Sequence, residues 1–340
     1  MKAAVFDKLG GPDVLRIDNL PTPEPQAGEV LVRVRAAALN HLDLWLRRGL
    51  PIDTTMPHIG GSDIAGEVAG LGAGVKGVKV GARVVVNPSL SCGACEWCRI
   101  GEESLCAQYR IIGEHVNGGF AEFVAVPATN LFPVPEGYSF ELAAAAPLAF
   151  LTAWRGLVTR GRLRPGNSVL ITGASGGVAA AAIQVAKHTG AHVYALTTTE
   201  NIERVRSLGA DVVYDRTRGD FSKQLWTDTE KRGVDVVLDS VGEALWPQLV
   251  RCLARSGRLV VYGATSGYEA QLDLRVVFWK QIEIVGTTMS NRTEFEEVMR
   301  LVFAGVLKPV VDRVFPLEHI RAAHERLEQG GQFGKIVVVP

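Results

Sequence analysis

Val169-Leu170-Ile171-Thr172-Gly173-Ala174-Ser175-Gly176-Gly177-Val178-Ala179 is the stretch on which the fold turns. Its first four residues form a short apolar run closed by a turn signal, as a fully buried strand does. The glycines then open a turn, and the residues from Val178 to Lys187 read as a helix. Strand, glycine turn and helix in that order begin a βαβ unit. Glycines in such a turn let the backbone approach a pyrophosphate, and the helix N-terminus offers unpaired N–H groups and positive potential. The strict G-x-G-x-x-G spacing is not met, since Ala174 and Ala179 hold its first and third glycine positions. Alanine at the third is a recognised variant. The strand–turn–helix setting points to a dinucleotide held by Gly173, Ser175, Gly176, Gly177 and Val178.

Outward from this turn the pattern repeats. His192 to Leu196 reads as a strand, Glu200 to Leu208 as a helix, and Val212 to Tyr214 as a strand. Val234 to Asp239 and Arg258 to Gly263 continue the series. Strands alternating with helices imply a doubly wound parallel sheet of Rossmann type over residues 148–288. A site specific for NAD places Asp or Glu about 20 residues after the turn, at the end of the second strand. Here Thr197, Thr198 and Thr199 stand there, with Arg204 further on. Hydroxyls and a cation suit a 2′-phosphate, so NADP(H) is favoured over NAD(H).

Residues 1–147 have a different texture. Val30 to Ala36 alternates apolar residues with Arg33 and Arg35, as a half-buried strand does. Ile64 to Val68 and Ala82 to Val86 are further strands, with glycines between them. Little helix is indicated, and the expectation is a compact barrel-like β domain. A helical segment from Glu294 to Phe303 leads to a β tail ending in Ile336 to Val339. Residues 289–340 are therefore expected to rejoin the first domain.

Composition narrows the function classes. Of 340 residues 47% are apolar and 21% charged, a globular balance, with 36 basic against 36 acidic side chains. Neutral charge and the lack of a basic stripe argue against a nucleic-acid partner. No run of 18 apolar residues is present, so no membrane span is expected. The N-terminus shows no apolar leader stretch, and the expectation is a cytoplasmic protein acting on a small molecule.

Four of the five cysteines fall in one loop, as Cys92-x2-Cys95-x2-Cys98-x7-Cys106. Tetrahedral zinc takes four thiolates, and close spacing lets one loop wrap the ion. Four protein ligands leave no open position, so this zinc is expected to be structural, in a lobe spanning about residues 90–110. Cys252 stands alone in an apolar helix pattern and reads as a buried core thiol.

A β-rich domain with a four-cysteine lobe, then a Rossmann unit, then a β tail resembles the medium-chain dehydrogenase/reductase superfamily. The segments carrying the resemblance are Gly11 to Leu15, Ala38-Leu39-Asn40-His41-Leu42-Asp43, Gly61-Ser62-Asp63-Ile64-Ala65-Gly66, Asn117 to Glu122, and Gly334-Lys335-Ile336-Val337. The resemblance implies an α/β protein, with a GroES-like β-barrel catalytic domain beside the Rossmann coenzyme domain. It also implies a homodimer or homotetramer formed through the region from Leu272 to Gly286. Val276, Val277, Phe278 and Trp279 would lie there in an interface, or equally in a core. The zinc lobe is similar to that of the zinc-containing alcohol dehydrogenases. Those enzymes bind a second, catalytic zinc through residues at the positions of Asn40, Ser62 and Leu148, and none of the three is such a ligand here. The Asn40-x-x-Asp43 and Gly61-Ser62-Asp63 segments are instead similar to the zinc-free quinone oxidoreductase branch.

Oxidising an unactivated alcohol requires removal of a proton of pKa near 16. Zinc lowers that of bound water from about 15.7 to about 7. Hydride transfer to a quinone, an enone or another activated carbonyl demands less, because hydrogen-bond donors suffice for the developing oxyanion. Asn40, His41 and Asp43 are the candidate catalytic residues, with Asn40 the amide donor beside the nicotinamide by resemblance. Thr152 is a candidate nicotinamide contact. Lys335 reads either as a cofactor-phosphate ligand or as a strand-edge surface lysine. Two alternatives stay open: an alcohol dehydrogenase with zinc rebuilt on His41, Asp43, His58, Asp63 and His115, and a non-catalytic NADP-binding protein.

Overall fold

A computed structural model describes residues 1–340. The backbone forms two compact units, Met1–Leu148 with Ser290–Gly305 and Pro309–Pro340, and Ala149–Met289 with Val306–Lys308.

The first unit is built on the strand Glu29–Ala38, whose alternating pattern buries Val30, Val32 and Val34. This strand pairs antiparallel with Asp63–Leu71, Phe123–Pro127 and Lys335–Val339. Arg83–Val86 and Leu131–Pro133 extend the sheet on one side, and Val311–Pro316 extends it on the other. The pairing with Asp63–Leu71 shifts register between Leu31 and Val32 and between Val34 and Ala36, as it does at a β-bulge. Phe6, Leu44, Leu46, Ile64, Phe120 and Ile336 belong to its apolar core. The C-terminal strand thus completes a sheet begun 300 residues earlier, and its register brings Val337 opposite Ala38.

The second unit holds a six-stranded sheet, parallel throughout. In space its strands run Val212–Asp215, His192–Thr197, Ser168–Ile171, Val234–Asp239, Leu253–Val261 and Glu283–Gly286. The order reverses between Ser168–Ile171 and Val234–Asp239, and ligands of open α/β sheets bind outside the carboxyl ends of the strands at that point. The stretch from Leu274 to Lys280 is a helix ahead of the sixth strand. Its Leu274, Phe278 and Trp279 are 71%, 66% and 68% exposed, so they form no part of a core within the chain. No helix is long and apolar enough to cross a membrane.

Candidate functional site

The glycine turn sits at the carboxyl end of the first Rossmann strand. Gly173 takes φ +58°, a backbone conformation unfavourable to residues with a Cβ, and a Cβ there would meet nothing closer than 3.8 Å. The turn closes through Gly176 N–H to the Gly173 carbonyl at 2.9 Å. Gly176 caps the helix Gly177–His188, whose first ladder bond runs from Ala180 N–H to the Gly176 carbonyl at 2.9 Å. The N–H groups of Gly177, Val178 and Ala179 therefore lie outside the intrahelical ladder, which is the donor set a pyrophosphate takes. The open space and the unladdered donors fit a dinucleotide.

Asp239, which sequence reasoning passed over, shapes the neighbouring turn. It is fully buried at the end of the fourth strand, where it accepts bonds from Thr172 Oγ1 at 2.6 Å, Val241 N–H at 3.1 Å and Gly242 N–H at 2.8 Å. Burial holds its carboxyl above the usual range despite these donors.

At the end of the second strand Thr197 is buried and its hydroxyl has no partner. Thr198 Oγ1 donates to Glu200 at 2.6 Å, and Thr199 Oγ1 donates to Asp215 at 2.5 Å. That hydrogen bond to Thr198 holds Glu200 below its ordinary pKa, so an anion stands beside the threonines. Arg204 lies in the following helix Ile202–Ser207. Thr152 is buried in the helix Pro147–Trp154.

The sulfurs of Cys92, Cys95, Cys98 and Cys106 all lie within 4.8 Å of one another. Cys92 and Cys98 are 3.9 Å apart, and Cys95 and Cys98 are 3.5 Å apart. A tetrahedron with zinc–sulfur bonds of about 2.3 Å has edges of roughly 3.8 Å, so the donor set fits zinc. Cys95 N–H and Gln108 N–H point at Cys92 and Cys106 sulfurs from 3.3 Å. The backbone N–H groups of Ala94 and Cys95 pull the Cys92 thiol down, while burial and the neighbouring thiols hold Cys95 above its ordinary value, so the quartet shares its protons until a metal replaces them. Cys252 is buried far from solvent, and burial pushes its thiol up to about 12.

Three strand ends of the first unit bring the remaining candidates together. Ala38 ends one strand and pairs with Asp63, which begins another. Leu39 N–H bonds to the Ile336 carbonyl at 2.9 Å, and this register sets Lys335 beside Asn40. Lys335 is buried and donates to Asp63 Oδ2 at 2.8 Å and to Asn40 Oδ1. Asn40 Nδ2 donates to Asp63 Oδ2 at 3.0 Å, and Asp63 Oδ1 accepts Leu148 N–H at 2.7 Å. Lys335 is thus no surface lysine, and the Asn40 amide is already engaged at both ends. Ser62 is fully buried, and its hydroxyl has no partner.

Asp43 is buried in the first turn of the helix His41–Gly49. Its two oxygens accept Asn40 N–H at 2.7 Å and Gly61 N–H at 2.9 Å. Burial raises it to about 6, against the pull of those two N–H groups and of Lys335. His41 is exposed at the helix start, its ring 6.2 Å from that of Trp45.

The five residues considered for a rebuilt metal site do not gather. The cysteine quartet is the one group of three or more His, Cys, Asp or Glu side chains with converging ligand atoms. Asp43 and Asp63 have both oxygens committed as described. His58 Nε2 lies 3.2 Å from the Gly113 carbonyl, and His115 Nδ1 accepts Ile111 N–H at 3.2 Å.

Residues 26–136 match the model of the alcohol dehydrogenase GroES-like domain, and residues 208–338 match that of the zinc-binding dehydrogenases. The chain is 34% identical to an NAD-dependent alcohol dehydrogenase of Sulfolobus acidocaldarius, over 99% of each chain. It is 33% identical to an acryloyl-coenzyme A reductase of Sulfurisphaera tokodaii, over all of both chains. A solved structure of an NAD-dependent alcohol dehydrogenase superposes with a TM-score of 0.96 at 44% identity, covering 100% of each chain.

Proposed function

The chain belongs to the medium-chain dehydrogenase/reductase superfamily as a zinc-binding, NAD(P)-dependent oxidoreductase of the alcohol dehydrogenase family, and from that premise we propose that it reduces activated carbonyl compounds, enones or quinones. One observation carries the reading. By the resemblance Asn40, Ser62 and Leu148 stand at the places of the catalytic zinc ligands, and in the structure the buried Lys335–Asp63 ion pair ties Asn40 and Leu148 together. None of these three side chains is a zinc thiolate or imidazole, so deprotonation of an unactivated alcohol lacks its usual electrophile. A conjugated acceptor needs no such electrophile. The acryloyl-coenzyme A reductase among the relatives supports an unsaturated acyl substrate.

When bound, the reduced nicotinamide supplies the hydride. The Gly173 turn and the N–H groups of Gly177, Val178 and Ala179 would hold its pyrophosphate, and Thr152 would border the nicotinamide. Lys335, committed to Asp63 and to Asn40, would hold the Asn40 amide in place beside the Gly61–Asp63 segment. Asp43 holds Asn40 and Gly61 in place through their N–H groups. His41, exposed at the helix start, is the third candidate. For the nucleotide, the threonines and Arg204 favour NADP, with the Glu200 carboxylate opposing a 2′-phosphate.

The quaternary reading is a homodimer or homotetramer. The outer edge of Glu283–Gly286 is unpaired within the chain, beside exposed Leu274, Phe278, Trp279 and Ile284. A second copy would cover this face, and light scattering on the purified protein tests it. For the activity, oxidation of NADPH or NADH is followed with acryloyl-coenzyme A, a simple enone, a quinone and a primary alcohol series. Turnover of the activated acceptors with negligible alcohol oxidation is the expected result; efficient alcohol oxidation would overturn the reading.

A further inference from the structure

We propose that the Rossmann unit carries a second ligand site, a seat for a nucleoside phosphate at the amino ends of its sheet strands. The coenzyme turn stands at the carboxyl ends, and because the sheet is parallel throughout, its amino ends all lie on the opposite edge. A groove of about 470 Å³ opens at that edge, a volume in the range that small ligands occupy. Lys231 and Arg232 line it from just before the strand Val234–Asp239, Arg255 from the start of Leu253–Val261, and Lys280 from the end of the helix Leu274–Lys280. Trp226, in the last turn of the helix Phe221–Asp228, and Trp279 are its aromatic walls. No Asp or Glu lines it.

Charge singles the groove out. The chain balances 36 basic residues against 36 acidic ones, yet four cations meet here and only Arg232 has a carboxylate partner, Asp235. Arg255 Nη1 donates to the Trp279 carbonyl at 3.0 Å. Lys280 Nζ donates to the Leu253 carbonyl at 2.8 Å and to the Arg251 carbonyl at 3.4 Å, at the end of the helix Trp246–Cys252. A helix end offsets about half a charge, so these bonds orient the cations and leave the groove positive. Lys280 is half-buried, and burial pulls its ammonium below its ordinary value; Cys252 opposes this and Arg255 adds to it. An anion between Lys280 and Arg255 relieves that like-charge repulsion. Lys231 and the remaining N–H groups of Arg255 supply further charged donors.

The tryptophans say what the anion is attached to. Lys280 Nζ stands 5.5 Å from the centroid of the Trp226 ring, and the Arg255 guanidinium carbon 5.8 Å from that of Trp279. Each indole thus has a cation against it and is still 37% exposed at Trp226 and 68% at Trp279. Bare phosphate makes no use of such surface, whereas a nucleobase stacks on aromatic and guanidinium planes. A flat ring joined to phosphates answers both halves of the groove, and the volume suits one such unit rather than a strand. Trp279 also borders the face given above to a second copy, so the ligand sits at the rim of that interface. The site does not depend on which acceptor the enzyme reduces.

The test is equilibrium dialysis of radiolabelled ATP, free of magnesium, against the full-length zinc-loaded protein in its assembled state, with the coenzyme crevice filled by NADPH. ATP should bind at one per chain, with adenosine and inorganic triphosphate each at least about tenfold weaker. Arg255→Gln and Lys280→Gln should each weaken ATP roughly tenfold while leaving NADPH binding unchanged. Arg255 is exposed, so R255Q carries the test even where K280Q fails to fold. Trp226→Leu should remove the advantage of ATP over triphosphate. Triphosphate that binds as tightly as ATP shows an adventitious ion only and overturns the nucleoside seat. Absence of ATP binding, or an affinity that R255Q and K280Q leave unmoved, overturns the site altogether.

Discussion

Lys335 Nζ lies 2.8 Å from Asp63 Oδ2, with side chains 5% and 0% exposed. Removing one partner of such a pair strands the other charge in a low-dielectric interior, at a cost of about 3–5 kcal/mol, whereas removing both costs far less. Lys335→Met and Asp63→Asn should each lower the thermal midpoint of the zinc-loaded protein by several degrees, and the double variant should recover most of the loss. A double variant no better than the worse single would show the pair to be uncoupled.

The cysteine quartet gives a second test. One zinc per chain is expected by elemental analysis, and Cys106→Ser should lose it. Zinc contributes on the order of 10 kcal/mol to a site of this kind. Its removal by chelator should release the loop between Cys92 and Cys106 to proteolysis while leaving cleavage of the Rossmann unit unchanged.

Nucleotide preference is set at the end of the second strand, where Glu200 accepts a hydrogen bond from Thr198 at 2.6 Å. A single charge facing a 2′-phosphate across a few ångströms of solvated surface is worth about 1 kcal/mol. Glu200→Gln should raise kcat/KM for NADPH relative to NADH roughly fivefold, and Arg204→Ala should move the ratio the other way. A ratio unmoved by both would place the discrimination elsewhere.

These tests also mark what the residues reveal before they are folded. The Rossmann strands are legible because short apolar runs and a glycine turn are local signals, as is the cysteine spacing. Glu114 is different. Nothing adjacent to it in sequence predicts its burial, which arises when Gly113 and Gly118 close onto Gly61, some 50 residues away. Lys335 is ambiguous for the same reason, since its partners Asn40 and Asp63 lie about 270 residues or more before it. Trp279 shows the converse. Its apolar run fits a core or an interface equally well, and the helix Leu274–Lys280 divides it, packing Val276 and Val277 against the core of the second unit and turning Phe278 and Trp279 to solvent.

His324 offers a pH-dependent test in the barrel unit. It is 2% exposed, both ring nitrogens lack a partner, and its ring packs edge-on against Phe120 at 6.1 Å between centroids. Burial, followed by the nearby Arg47 charge, drives its pKa down to about 3. The unfolded chain binds the proton near pH 6.5 and the folded chain does not, so the folded state is penalised as pH falls. Stability is full above about pH 6.5 and is lost between there and about pH 3, at about 1.4 kcal/mol for each unit. His324→Phe should abolish this component and flatten the decline of the thermal midpoint between about pH 6 and about pH 4. It should also raise the midpoint at neutral pH, because two buried nitrogens without partners are replaced by apolar ring atoms. An acid limb equally steep in the variant would place the titrating group elsewhere in the fold.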